Sequence, residues 1–412
     1  MSVYLLATLD TKGCEAAFLR DRLRACGATV TLVDTGALGI PACAADVSRE
    51  ELFRASGSEL AQVVAQNDRG RAISSAALGA AQLVRRHYDA GRVSGVLAMG
   101  GSAGSTIGSA AMRALPLGVP KLLVSTLASG QVRHYVGDKD ILILNSVADI
   151  AGLNHISRTI LDAAARAMAG MVCFPAAPTT EGAKPLVAAT MFGVTTPCVD
   201  RARQKLEEAG FEVLVFHATG NGGQAMESLV AEGLISGVLD ITTTELADEL
   251  VGGMLSAGPD RLSAAARAGV PQVVSVGATD MVNFHAPETV PERFRGRKFY
   301  QHNANVTLMR TTAEENGRLG EEIGRKVAAA LGPATIMFPT AGVSAIDREG
   351  QPFDNPAARQ ALFAGIRRTA GTTEIVTLDS HINDSEFADA AAARLIAMMK
   401  TRTRVTRERS DG

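Results

Sequence analysis

The chain has 412 residues, 46% of them apolar, and a formal net charge of −2. That length suffices for two or three domains with sizeable cores, and near-neutrality gives no electrostatic support to a nucleic-acid or membrane-surface partner. Five scattered cysteines (Cys14, Cys26, Cys43, Cys173, Cys198) form no CxxC pair and no His/Cys cluster, which reads as reduced thiols of a cytoplasmic protein rather than a disulfide frame or a zinc site.

The first apolar run, "VYLLATL", starts at Val3 with no basic stretch before it, and no later run reaches the length of a membrane span. It reads as a strand, followed by the loop "TLDTKG" (8–13) and a helix from about Glu15 to Ala25. Leu19, Leu23 and Cys26 form that helix's apolar stripe. Gly27 and the strand "TVTLVDTG" follow, then a helical insertion from about Ser48 to Ala90. The strand "VSGVLAMG" leads into "GSAGST" and a helix, and "KLLVS" leads into "TLASG". "PAAPTTEGAK" (175–184) lacks apolar periodicity and marks a boundary. The expected organisation is a subdomain 1–175, a linker 176–184, a subdomain 185–400 with an extension from 340, and a flexible solvated tail 401–412 with four arginines.

The second half repeats the first. "PLVAATMF" (185–192) and the helix through "RARQKLEEAG" answer the opening unit, and "VSGVLAMGGSAGS" (93–105) answers "ISGVLDITTTELA" (235–247). "GVPKLLVSTLASG" (118–130) matches "GVPQVVSVGATDM" (269–281), "HYVGDKDILILNSVADIAG" (134–152) matches "FYQHNANVTLMRTTAEENG" (299–317), and "VCFP" (172–175) matches "IMFP" (336–339). Short buried runs alternating with amphipathic stretches predict α/β architecture: two duplicated three-layer subdomains on mostly parallel sheets, with a ligand cleft between them.

In open parallel sheets, ligands lie beyond the carboxyl ends of the strands. The strand–Gly/Ser-loop–helix at 96–112 makes a cradle of N–H donors for a phosphate, or else a tight turn that caps a helix. It is neither Walker A nor a complete dinucleotide fingerprint. Lys12 lies at the same edge, as a phosphate partner or a surface lysine. Asp10 is the nearest acid, as a Mg²⁺ ligand or a loop cap on the N–H groups at the start of the first helix.

The equivalent loop of the second half, "DITTTELADEL" (240–250), carries hydroxyls and carboxylates and no glycine, and suits a polar small molecule or a metal through Asp240 or Glu245. Four of the seven histidines (His217, His285, His302, His381) fall in loops of this half. The candidate catalytic set is His302 or Glu245 to move a proton, Arg310 to clamp a carboxylate or phosphate, and Asp280. Substrate contacts are assigned to His217, Thr219, Gly220, Thr243, Thr244, Asn303 and His381. The plain alternative for Arg310 is a pair with Glu314 or Glu315. Thr312 with Glu315 reads as a capping box, and Cys198 as a small buried side chain or a helix-start thiolate.

"TLDTKG", "MGGSAGST", "NSVADIAGLN", "GVTTPC", "GVLDITTTELADEL", "PQVVSVGATDMVNF", "VTLMRTT" and "HINDSEFAD" together resemble the UPF0261, or Tm-1-like ATP-binding, family over Val3 to about Ala393. The resemblance implies two Rossmann-like subdomains, ATP binding and self-association as a homodimer or larger homo-oligomer. Sheet-edge logic carries ATP onto Asp10, Thr11, Lys12, Thr35, Gly36, Gly100, Gly101, Ser102, Ala103, Gly104, Ser105, Thr106, Thr126, Ser129 and Gly130. Two readings then stand: an ATP-dependent enzyme, Mg²⁺ included, acting on a small carboxylated metabolite, and a non-catalytic ATP-binding regulatory module. A bilobed sugar-binding protein also fits the duplication.

Overall fold

A computed structural model describes residues 1–130, 132–174 and 184–410, with side chains to Thr401. The chain packs as two compact units, Met1–Thr179 and Thr180–Gly412.

The N-terminal unit is built on β1 (Ser2–Ala7), β2 (Val30–Asp34), β3 (Val93–Gly100), β4 (Lys121–Ser125) and β5 (Leu142–Asn145). They pair in parallel in the order β2-β1-β3-β4-β5. Every residue of β1 is buried, because alternate side chains enter different cores. Val3 and Leu5 pack with Leu19, Leu23 and Met168 on one face. Tyr4 and Leu6 pack with Leu52, Leu83 and Ile107 on the other. The second core draws on the insertion 48–90, which forms the helices Arg49–Ala55, Leu60–Gln66 and Arg69–Asp89.

The C-terminal unit contains β6 (Leu186–Met191), β7 (Glu212–His217), β8 (Gly237–Thr242), β9 (Gln272–Gly277), β10 (Met281–Phe284), β11 (Phe299–Asn303), β12 (Val306–Arg310), β13 (Ala334–Pro339) and β14 (Glu374–Leu378). Its main sheet runs β14-β13-β9-β8-β6-β7, and β10-β12-β11 form a separate antiparallel sheet. The strand orders β2-β1-β3-β4 and β7-β6-β8-β9 are the same, as the repeat requires.

The repeat fails beyond that point. The segment "ILILN" forms β5 beside β4, whereas its counterpart "VTLMR" forms β12 in the antiparallel sheet. The place beside β9 goes to β13. "VCFP" is no strand: Val172 and Cys173 end the helix His155–Cys173, and Pro175 lies outside the described residues. The expected linker, apart from Lys184, lies outside them too.

Two element limits also move. The first helix begins at Leu9, not near Glu15, and absorbs "DTKG" by kinking at Lys12 (φ −133°, ψ 27°). The last helix, Ser385–Ser410, runs through most of the segment expected as a flexible tail. Thr312 and Glu315 do form the capping box, the Thr312 hydroxyl accepting from Glu315 N–H and the Glu315 carboxylate from Thr312 N–H. No helix among the described residues is long and apolar enough to cross a membrane.

Candidate functional site

At the carboxyl ends of β1, β2 and β3 the N-terminal unit opens a cavity of about 510 Å³, within the range of small-molecule sites. Nine of the residues assigned to ATP line it: Asp10, Thr11, Lys12, Thr35, Gly36, Gly101, Ser102, Ala103 and Gly104. Gly101 starts the helix Ser102–Arg113, and no side chain caps that end. The first N–H groups of a helix have no partner within it, so this start offers donors and the positive end of a helix dipole to the cavity.

Glycine is required here for close packing. A Cβ on Gly104 would lie 2.6 Å from the Met99 carbonyl oxygen, so Gly104 lets the helix start sit against the end of β3. Gly101 is different, since a Cβ there would meet only the Thr126 hydroxyl, at an ordinary 3.5 Å.

The Lys12 ammonium donates to the Ile150 carbonyl at 2.5 Å while lining the cavity. Asp10 holds the far wall: its Oδ2 accepts from Leu38 N–H and Gly39 N–H, both at 3.1 Å. The cap foreseen for it was on its own helix; the structure places it on the loop after β2 instead. Asp34 supports the same wall, its Oδ1 accepting from Leu9 N–H and Gly36 N–H. Burial pushes the Asp34 carboxyl up, against those hydrogen bonds and the nearby Arg49. Arg49 itself donates to the Gly39 carbonyl at 2.7 Å.

Sequence reading missed the insertion's share in this cavity. Arg69 lines it at the start of its helix, and Ala72, Ile73 and Ala76 give it an apolar wall. An i, i+3/i+4, i+7 spacing from an arginine at a helix start was the available signal.

The other assigned residues do not line the cavity. Gly100 ends β3. Ser105 is buried and shares a hydrogen bond with the Ser125 hydroxyl at 2.7 Å. The Thr106 hydroxyl donates to the Ser102 carbonyl, and Thr126 N–H to the Gly100 carbonyl. Ser129 and Gly130 lie in the turn after β4, where Gly130 N–H donates to Leu127.

In the C-terminal unit the corresponding edge is closed by its own side chains. Arg261 is fully buried. It holds Asp240 through two hydrogen bonds, at 2.6 and 2.7 Å, and donates to Glu245 Oε2 at 2.6 Å. The other Glu245 oxygen accepts from Gly220 N–H and Gly223 N–H, at 2.7 and 3.0 Å. Burial pushes the Glu245 carboxyl up, Arg261 pulls it back, and no oxygen is left for a substrate or a metal.

Arg310, expected as a clamp, is buried and donates to the carbonyls of Phe353 and Asp280, the Thr311 hydroxyl and Asp347. Its foreseen partner Glu315 pairs with Arg297 instead. Asp280 Oδ2 accepts from the Ser344 hydroxyl at 2.8 Å. Burial, reinforced by Asp347, raises its carboxyl to about 7.

His381 is buried. Its Nδ1 accepts from Asn383 N–H, so Nε2 carries the proton to the Ser344 carbonyl, and burial lowers its pKa. Thr243 and Thr244 are buried, the Thr243 hydroxyl donating to the Ser275 carbonyl. Thr219 bonds back to the His217 carbonyl, and Gly220 holds Glu245. His217 is exposed at the end of β7. His302 and Asn303 are exposed on β11, Asn303 accepting from Asn305 N–H. Cys198 is fully buried and its thiol is pushed up to about 12, so it is not a helix-start thiolate. Among the described residues no group of three or more His, Cys, Asp or Glu is placed to hold a metal ion.

Fold and geometry define an α/β protein of two units on a shared strand order, with one sheet edge open and the other sealed. Residues 1–177 match the family model described as "Uncharacterised protein family (UPF0261) N-terminal domain", and residues 184–399 match its C-terminal domain. The chain belongs to the UPF0261 family. It is 48% identical to a UPF0261 protein of Clostridium tetani over 97% of this chain and 99% of that one. It is also 48% identical to a UPF0261 protein of Rhizobium meliloti over 95% and 97%. The ToMV resistance protein Tm-1(GCR237) of Solanum lycopersicum is 39% identical, over 94% of this chain and 54% of the tomato protein.

Proposed function

We propose that the chain is an ATP-binding protein whose nucleotide lies in the N-terminal cavity. The observation that carries this reading is the uncapped helix start at Gly101–Gly104 facing the same cavity as Lys12 and Arg69. Backbone donors and two cations suit a polyphosphate, and the apolar wall from Ala72, Ile73 and Ala76 suits a planar base. Bound ATP would supply a phosphoryl or adenylyl group. Mg²⁺ with bound phosphates needs only one or two protein carboxylates, and Asp10, which lines the cavity together with Asp149, would share the ion with the phosphates.

Transfer to a small carboxylated metabolite completes the proposal in its enzymatic form. The side chains for it must come from outside the Glu245–Arg261 and Arg310–Asp347 networks; His302, Asn303 and His217 are exposed. Release of ADP or AMP from ATP in the presence of metabolite pools tests that form. Its absence leaves the regulatory module, and self-association belongs to either form.

Gly101→Ala tests the site with the least disturbance, because the added Cβ, at the helix start that lines the cavity, would meet only the Thr126 hydroxyl at an ordinary 3.5 Å. Calorimetric titration is expected to show ATP affinity reduced at least tenfold, about 1.4 kcal/mol. Unchanged affinity would remove this loop from the site. Gly104→Val is a poorer test, since the clash with Met99 disturbs the fold itself.

A further inference from the structure

The C-terminal unit has a second cavity, of about 420 Å³, under the hairpin of β11 and β12. Val290, Pro291, Glu292 and Arg295 line it, together with Phe299 and Gln301 of β11. Thr307 of β12 also lines it. That threonine is 3% exposed, and its hydroxyl is buried without a hydrogen-bond partner. A buried hydroxyl left unpaired is unusual and calls for a partner.

The charges at the rim narrow the partner's chemistry. Arg295 pairs with Glu292 at 2.7 Å, but both side chains are largely exposed. An exposed pair three residues apart is weakly held, so an incoming carboxylate can take the guanidinium in a bidentate fork. Phe299 keeps more than a third of its surface exposed beside the cavity. An aromatic ring so placed offers its face to a flat apolar group.

We propose that this cavity binds a small aromatic or similarly flat carboxylate. The acid lies between Arg295 and the Thr307 hydroxyl, which donates to one of its oxygens, and the ring lies against Phe299 and Pro291. The site lies within the C-terminal unit and does not rest on the nucleotide reading.

Phenylacetate is the probe and phenylacetamide, of the same shape without the charge, its control. Saturable binding of phenylacetate to the full chain by ligand-observed NMR and calorimetry is expected, with the amide at least about tenfold weaker. Arg295→Gln should bring acid and amide to similar affinity. Thr307→Val, nearly isosteric, should weaken both about threefold or more while the melting temperature holds. A Phe299→Leu chain that folds should lose the ring-current shifts of the bound probe. No saturation by about 10 mM phenylacetate, or equal binding by the wild-type and Arg295→Gln chains, overturns the proposal.

Discussion

After β3 the chain turns through Gly101 into a helix whose first N–H groups no side chain caps. After β8 it turns through Thr243 into the helix Thr244–Val251, where Glu245 reaches back to the N–H groups of Gly220 and Gly223. The two turns hold the same place in one strand order, β2-β1-β3-β4 and β7-β6-β8-β9. In one unit the sheet edge keeps its donors for something else. In the other the corresponding helix start is uncapped as well, but its own Glu245 fills the space beyond, taking the N–H groups of the neighbouring helix start after β7, and Arg261 balances that charge. A duplicated sheet edge is thus, in one copy, part of the core. The glycines show the same contrast: a Cβ fits at Gly101, but at Gly223 it would collide with the Glu245 carboxylate.

The sharpest way to break this comparison is to remove the cation from the sealed edge. Arg261→Met leaves Asp240 and Glu245 buried and unpaired. Deleting one partner of a buried pair costs about 3–5 kcal/mol. Denaturant unfolding should show that loss in the C-terminal unit, with ATP affinity unchanged. An Arg261→Met chain of wild-type stability would mean that the network does not seal this edge.

A second test uses pH. Asp248 is buried, and burial lifts its carboxyl from 3.8 to about 7 despite hydrogen bonds from Asn283 and Leu255. Its folded pKa is therefore the higher one. Between about pH 4 and 7 the folded chain holds a proton that the unfolded chain has released, so stability falls as pH rises through that window. At its steepest the loss approaches about 1.4 kcal/mol per pH unit. Asp280 adds a contribution of the same sign. Asp248→Asn should keep the fold, because an amide oxygen still accepts from the N–H groups of Asn283 and Leu255. Its NH₂ faces Asn283, whose Oδ1 has no partner and can turn to accept. The variant should unfold with a flatter pH dependence by chemical denaturation. A slope equal to that of the wild type would move the effect to other groups.

Much of the architecture was legible because it rests on periodicity. Buried strands read as continuous apolar runs, the repeat fixed the common strand order, and Thr312 with Glu315 announced a helix start. Tertiary pairing was not legible. Arg261 sits in "AGPDRL", sixteen positions from Glu245, and nothing local ties it to that carboxylate or to Asp240. Arg310 and His381 look like site residues by type, yet burial commits them to internal partners. The match of "VCFP" with "IMFP" failed because four apolar residues fit a helix end as well as a strand. The open edge was easier to read: glycines and small side chains in a turn state directly that little will fill the space beyond it. Even there, Arg69 came from an insertion with no counterpart in the repeat.

The smallest expected effect concerns Asp10 and decides what kind of edge the open one is. Its Oδ2 already accepts two N–H groups of the loop after β2. If that is its whole use, the N-terminal edge is braced by a carboxylate of the chain much as the C-terminal edge is, only less completely. Asp10→Asn separates anchoring from metal binding, since the amide oxygen can accept the same two N–H groups while the negative charge is gone. Stability should change by less than about 1 kcal/mol, the range of a neutral hydrogen-bond exchange. ATP affinity without Mg²⁺ should hold or rise slightly, because an anion near the phosphates has been removed. The gain in affinity on adding Mg²⁺ should shrink about threefold to tenfold, since one carboxylate of a site built on one or two has been lost. Calorimetry with and without Mg²⁺ reads both quantities on one preparation. An undiminished Mg²⁺ effect would make Asp10 a loop anchor alone, and the two edges would then differ in how far the chain's own carboxylates close them rather than in kind.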